Sequence, residues 1–139
     1  MKLTHITKRA KGMTLLELTV VILVLLSLIS ILFVGARAWK KGSDRAANVM
    51  IVRNVQQAVR SYQNMNNVSE GTTIGVTTSG PIFGSGNFIE NIPTPPVPGL
   101  TYTFGPTVPG IGTLFTVVGG TASDGTAASY YAPTGTQDW

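Results

Sequence analysis

The sequence predicts an α+β chain: one long N-terminal helix whose C-terminal half carries a small antiparallel sheet. Three observations predict it. Residues 18–36 are uncharged and mostly Leu, Val and Ile. Residues 37–66 are polar with a helical apolar rhythm, and no proline occurs before Pro81. Residues 67–139 turn to Gly, Thr, Ser and Pro with short β-type runs. At 139 residues the chain has room for one small domain beside a membrane or packing helix, and that domain can bury only a modest core.

The apolar segment runs Leu18 to Val34, interrupted only by Thr19, Ser27 and Ser30. Those hydroxyls can bond back to the helix backbone. Nineteen uncharged residues rise roughly 28 Å as a helix, about the thickness of a bilayer core. A buried soluble helix is the competing account, but so small a chain offers little to bury it. Gly35 and Gly42 each weaken a continuing helix by about 1 kcal/mol relative to Ala. Lys40-Lys41-Gly42-Ser43 can mark a kink or break, with Ser43 or Asp44 capping a restart. Beyond it Ala47, Met50, Ile51, Asn54, Val55, Ala58, Val59, Tyr62 and Met65 form one stripe, while Arg45, Arg53, Gln56, Gln57 and Arg60 take the other faces. A continuous helix from Met13 to about Asn66 would be roughly 80 Å long, more than a 139-residue globule needs.

Strands are expected at Thr73–Thr77, Leu100–Phe104, Leu114–Val118 and Ala128–Ala132. Ile92 to Pro98 reads as an extended linker, because proline fixes φ and donates no hydrogen bond. Val108-Pro109-Gly110 and Asp124-Gly125 read as turns.

The formal charge of +4 is unevenly placed. Lys2, Lys8, Arg9 and Lys11 all precede Gly12. From Met13 onward six bases (Arg37, Lys40, Lys41, Arg45, Arg53, Arg60) face six acids (Glu17, Asp44, Glu70, Glu90, Asp124, Asp138). The basic character belongs to the first twelve residues, so no nucleic-acid-binding function is evident from it. Cysteine is absent, which removes disulfides, thiolate metal sites and cysteine nucleophiles.

The junction reads Lys11-Gly12-Met13-Thr14-Leu15-Leu16-Glu17-Leu18. A short basic leader containing Lys8, Arg9 and Lys11, a Gly before the apolar stretch and a lone Glu five residues later coincide. This resembles the N-terminal signal of type IV pilins and type II secretion pseudopilins, with Met13 in place of the usual phenylalanine and Leu16 in place of isoleucine. The likeness is specific over residues 9–34 and architectural beyond residue 66. It implies four regions: a cleaved leader at 1–12, a transmembrane and filament-core helix at 13–36, its amphipathic continuation at 37–66, and a globular β region at 67–139. It further implies cleavage between Gly12 and Met13 by a prepilin peptidase, N-methylation of Met13 by the same enzyme, and residence in the inner membrane as a single-pass protein with its C-terminus outside. An assembly platform in that membrane would then extract the chain into a periplasmic or extracellular filament with copies of itself and related subunits. Family filaments often unwind mid-helix; Gly35 lies near that region, but the family's usual proline is missing.

Physics adds a reason to notice Glu17. A carboxylate in hydrocarbon costs about 2.5–3.5 kcal/mol on insertion scales, so it needs a partner or a proton. The free amine of Met13 on a neighbouring subunit supplies one, and exists only after the leader is removed. The plainer account is a Glu at the helix end facing headgroups. In a filament, about 15 large apolar side chains at roughly 1.5–3 kcal/mol each would hold the polymer.

Rival readings use other residues. Ala36-Arg37-Ala38 is an A-x-A site, so secretory cleavage after Ala38 would release a soluble domain starting at Trp39. An enzyme is not expected: His5, the only histidine, lies in the leader, and no carboxylates are paired. No cofactor or metal is expected either, since Asp124 and Asp138, the only late acids, would make a poor calcium site. Asn67-Val68-Ser69 matches a glycosylation triplet. Tyr130, Tyr131 and Trp139 read as aromatic packing or a contact patch.

Overall fold

The computed structural model describes residue 12 and residues 14–75 and 80–139. The elements are α1 (Leu15–Asn66), β1 (Leu100–Phe104), β2 (Thr116–Gly120) and α2 (Ala128–Tyr131), an α+β fold. α1 is 52 residues long and runs through Gly35, Gly42, Ser43 and Asp44 without a break. The expected break and restart do not occur, because the absence of proline leaves every donor on the helical ladder.

By contacts the chain divides into two compact units, Met1–Trp39 and Lys40–Trp139. In the first, α1 buries nothing: its large apolar side chains from Leu15 to Val34 are 47 % to 84 % exposed. The three hydroxyls inside this stretch bond back as expected, Thr19 to the Leu16 carbonyl (2.8 Å), Ser27 to that of Val24 (2.7 Å) and Ser30 to that of Leu26 (2.8 Å). These bonds leave the Glu17 carboxylate as the one charged group of the stretch that an apolar surrounding would oppose.

In the second unit the sheet packs on the C-terminal part of α1. Val55, Ala58 and Val59 of the helix meet Ile74, Ile82, Phe83, Val108 and Phe115 in the main core. A smaller cluster joins Val97, Leu100, Ala122 and Tyr131. β1 and β2 are antiparallel, pairing Leu100 with Gly120, Tyr102 with Val118 and Phe104 with Thr116 on the inner face. Thr101, Thr103 and Val117 alternate outward. At the end of the ladder Gly99 (φ 92°) and Gly120 (φ 86°) let the strands close, since a Cβ on Gly99 would strike the Thr121 carbonyl oxygen.

The helix face that is buried differs from the expected stripe. Asn48, Val52, Val55, Gln56, Ala58 and Val59 are buried, whereas Met50, Asn54 and Met65 are exposed. The face has turned to take in Val52 and two amides. Asn48 accepts from the Tyr102 hydroxyl (2.5 Å) and donates to the Tyr131 carbonyl (2.8 Å). Gln56 donates to the Thr113 carbonyl (3.0 Å) and accepts from the Phe115 amide (2.9 Å). Each satisfies backbone or hydroxyl groups that burial would otherwise leave unpaired. The same Gln56 bond shifts the second strand: Phe115 gives its amide to Gln56 and its carbonyl to Gly105 (2.7 Å), so β2 begins at Thr116 rather than Leu114.

Two other expected strands differ. Ala128–Ala132 forms the single turn of α2, closed by the Ala132 amide on the Ala128 carbonyl (3.1 Å), which sinks Tyr131 into the small cluster. At Thr73–Thr77 only an isolated bridge, Thr73 with Thr107, is present, and residues 76–79 lie outside the described residues. α1 ends at Asn66, and Asn67 takes the left-handed conformation (φ 51°) usually given to glycine while the Val68 amide bonds the Gln63 carbonyl (3.0 Å).

Candidate functional site

The start of α1 is built by Thr14 and Glu17. The Thr14 hydroxyl accepts from the Glu17 amide (3.2 Å), and the Glu17 carboxylate accepts from the Thr14 amide (3.4 Å). The Leu18 amide then bonds the Thr14 carbonyl (3.2 Å) to open the helical ladder. This reciprocal pair is a capping box, which satisfies two of the donors every helix N-terminus leaves free. A carboxylate there also faces the positive end of the helix dipole. Thr14 was not singled out from the sequence, although Thr-x-x-Glu before an apolar run is a legible cap signature.

Gly12 precedes this cap and lies outside the helix, exposed. Met13 and the leader residues Lys8, Arg9 and Lys11 lie outside the described residues, so of the expected cleavage and charge-pairing residues the structure describes Gly12 and Glu17. The cap bonds give the Glu17 carboxylate a neutral donor and no countercharge. Ala36, Arg37 and Ala38, the rival cleavage site, are all inside α1 and exposed.

The basic residues of the second unit are largely occupied. Arg60 donates to the Gln63 side chain (3.0 Å) and to the carbonyls of Pro109 (2.8 Å) and Trp139 (3.1 Å), with Glu70 at 3.7 Å. The Arg53 guanidinium lies 4.8 Å from the Trp139 ring centre, and Lys41 and Arg45 both lie 5.2 Å from that of Tyr130. Tyr130 and Trp139 therefore serve as packing surfaces for cations. Asp124 shapes its turn by accepting from the Thr126 amide (2.9 Å), and Lys41 is 3.6 Å away. The Thr126 hydrogen bonds, with Lys41 adding to them, hold the Asp124 carboxyl below its ordinary value. Burial pushes the Tyr102 phenol up to about 12.

Among the described residues no three His, Cys, Asp or Glu side chains come together. The cleft along α1 lined by Arg53, Gln57, Arg60, Ser61, Asn64 and Trp139 holds one carboxylate, Asp138, and no histidine. Comparison with protein-family models, with curated proteins and with solved structures yields no match.

Proposed function

We propose that this chain is a pilin-like structural subunit, a precursor that a prepilin peptidase clips between Gly12 and Met13 and N-methylates at Met13. It is not an enzyme. Its filament is a type IV pilus or a secretion pseudopilus, assembled from copies of the chain and related subunits by an inner-membrane platform. One observation carries this reading. A capped helix opens just after Gly12, bears a single carboxylate at Glu17, and continues as an exposed charge-free surface long enough to cross a bilayer. In the membrane, lipid covers that surface. In the filament, the same side chains pack on neighbouring helices, and Glu17 gains the Met13 amine of another subunit as its countercharge. The placement of Ala36 to Ala38 within α1 favours Gly12 over the secretory site, because peptidases need an accessible, non-helical bond.

The test is the mature N-terminus of the chain from its native host, by intact mass and N-terminal peptide sequencing. A methylated Met13 start supports the reading. A Trp39 start means secretory cleavage and a free soluble domain, and ends it.

A further inference from the structure

We propose that Arg37 and Lys40, with Trp39 between them, form a headgroup site for acidic phospholipids at the far end of the apolar segment. The inference rests on the membrane-spanning reading above and names the lipid class that this part of α1 takes. Residues 18–36 climb roughly 28 Å as a helix, so the next turn reaches headgroup level. That turn carries Arg37, Trp39, Lys40 and Lys41, followed by Arg45, against one carboxylate, Asp44.

The cations are not equivalent. Lys41 is held 3.6 Å from Asp124, and both Lys41 and Arg45 lie over the Tyr130 ring. Arg37 and Lys40 are exposed and have no ion-pair partner among the described residues, Asp44 included. Trp39 between them is 79 % exposed. Long basic stems beside an indole suit the interface, where the stems lie along hydrocarbon and the charged heads reach the headgroups.

The sign of the charge argues for a specific ligand. Basic residues resist transfer across a membrane, and in the proposed orientation these stand on the far side. Four cations there match the four of the leader in number, so the flanking charge by itself does not favour moving them across. Acidic headgroups in that leaflet offset the cost. They also add to what assembly must overcome when it lifts the subunit out, which makes extraction sensitive to lipid composition.

The experiment partitions the full chain between phosphatidylcholine vesicles and vesicles with roughly one third phosphatidylglycerol, separated by density. Each free cation near an anionic surface contributes about fivefold, the equivalent of about 1 kcal/mol. At low salt the wild type should prefer the anionic vesicles about 10- to 25-fold more strongly than Arg37→Gln with Lys40→Gln does, and high salt should collapse that difference. Arg37→Lys with Lys40→Arg should partition as the wild type does. Wild type and variants share the leader, so its cations cancel in the comparison. An even wild-type distribution, or a Gln variant that partitions as the wild type does, overturns the proposal while leaving the spanning reading intact. A chain that carbonate strips from both vesicle types instead overturns the spanning reading, and this proposal with it.

Discussion

Glu17 can act as a cap, as a charge, or as both, and three substitutions separate the roles. Glu17→Gln keeps an oxygen acceptor for the Thr14 amide and removes the charge. Glu17→Leu removes both. Thr14→Val removes the hydroxyl that receives the Glu17 amide and leaves the charge. Loss of an N-cap costs about 1 kcal/mol, roughly fivefold in any equilibrium it enters. The charge is worth more. On the proposed reading, an unpaired carboxylate would destabilise the membrane-bound subunit by about 2.5–3.5 kcal/mol, and pairing in the filament would relieve that cost. Neutralising it should then stabilise the subunit in lipid and raise the critical concentration for assembly by about a hundredfold for Leu, and by at least about tenfold for Gln. Thr14→Val should stay within about fivefold of wild type. The assay is sheared-filament yield against total subunit, with leader removal followed by mass to show that processing is intact. Filaments of Glu17→Gln at wild-type yield would refute the charge-pairing argument and reduce Glu17 to a cap.

The globular unit gives three more expectations, each read on the full chain in detergent micelles by near-ultraviolet circular dichroism. Asn48→Ala strands the Tyr102 hydroxyl and the Tyr131 carbonyl and should destabilise by about 3–5 kcal/mol; a loss below about 1 kcal/mol would mean the two groups find other partners. Thr116→Val should stabilise by about 1–2 kcal/mol, because the Thr116 hydroxyl is buried without a partner, and a clear loss would reveal a bound water serving it. Tyr102 resists ionisation when folded: its phenol sits at about 12 against an ordinary 10.0. Its contribution to stability is therefore full below pH 10.0 and falls as pH rises from there toward about 12, since the unfolded chain gives up that proton first. Tyr102→Phe should lose this alkaline dependence and remove a step near pH 12 from the phenolate absorbance titration.

Some of the fold was legible because it depends on residue type alone. Residues 18–36 lack charge, residues 1–80 lack proline, and the Leu100–Phe104 run alternates, so the long helix and β1 follow directly. The rest depends on partners distant in sequence. Ala128 to Tyr131 has aromatic and small residues that serve either a strand or a turn of helix, and burial of Tyr131 against Leu100 decides between them. β2 could not be bounded locally, because Gln56, 59 residues away, removes Phe115 from the ladder. Thr14 is the opposite case, since its partner is three residues away and the motif was there to be read.

The buried amides show why a stripe must be read by position as well as by polarity. Asn48 stands four residues before Val52 and seven before Val55, and Gln56 stands four after Val52 and three before Val59. Both lie on the apolar face by helical geometry. The expected stripe omits Asn48, puts Gln56 on another face and takes in Met50 and Met65, which the structure leaves exposed. The physical cost of burying an amide falls away once both of its ends are bonded, and here each end is. The two amides therefore hold the β1 side chain Tyr102, the α2 carbonyl of Tyr131 and the approach to β2 on one helix face. A sheet of only two strands gains from that face a fixed docking register which its own ladder is too short to impose.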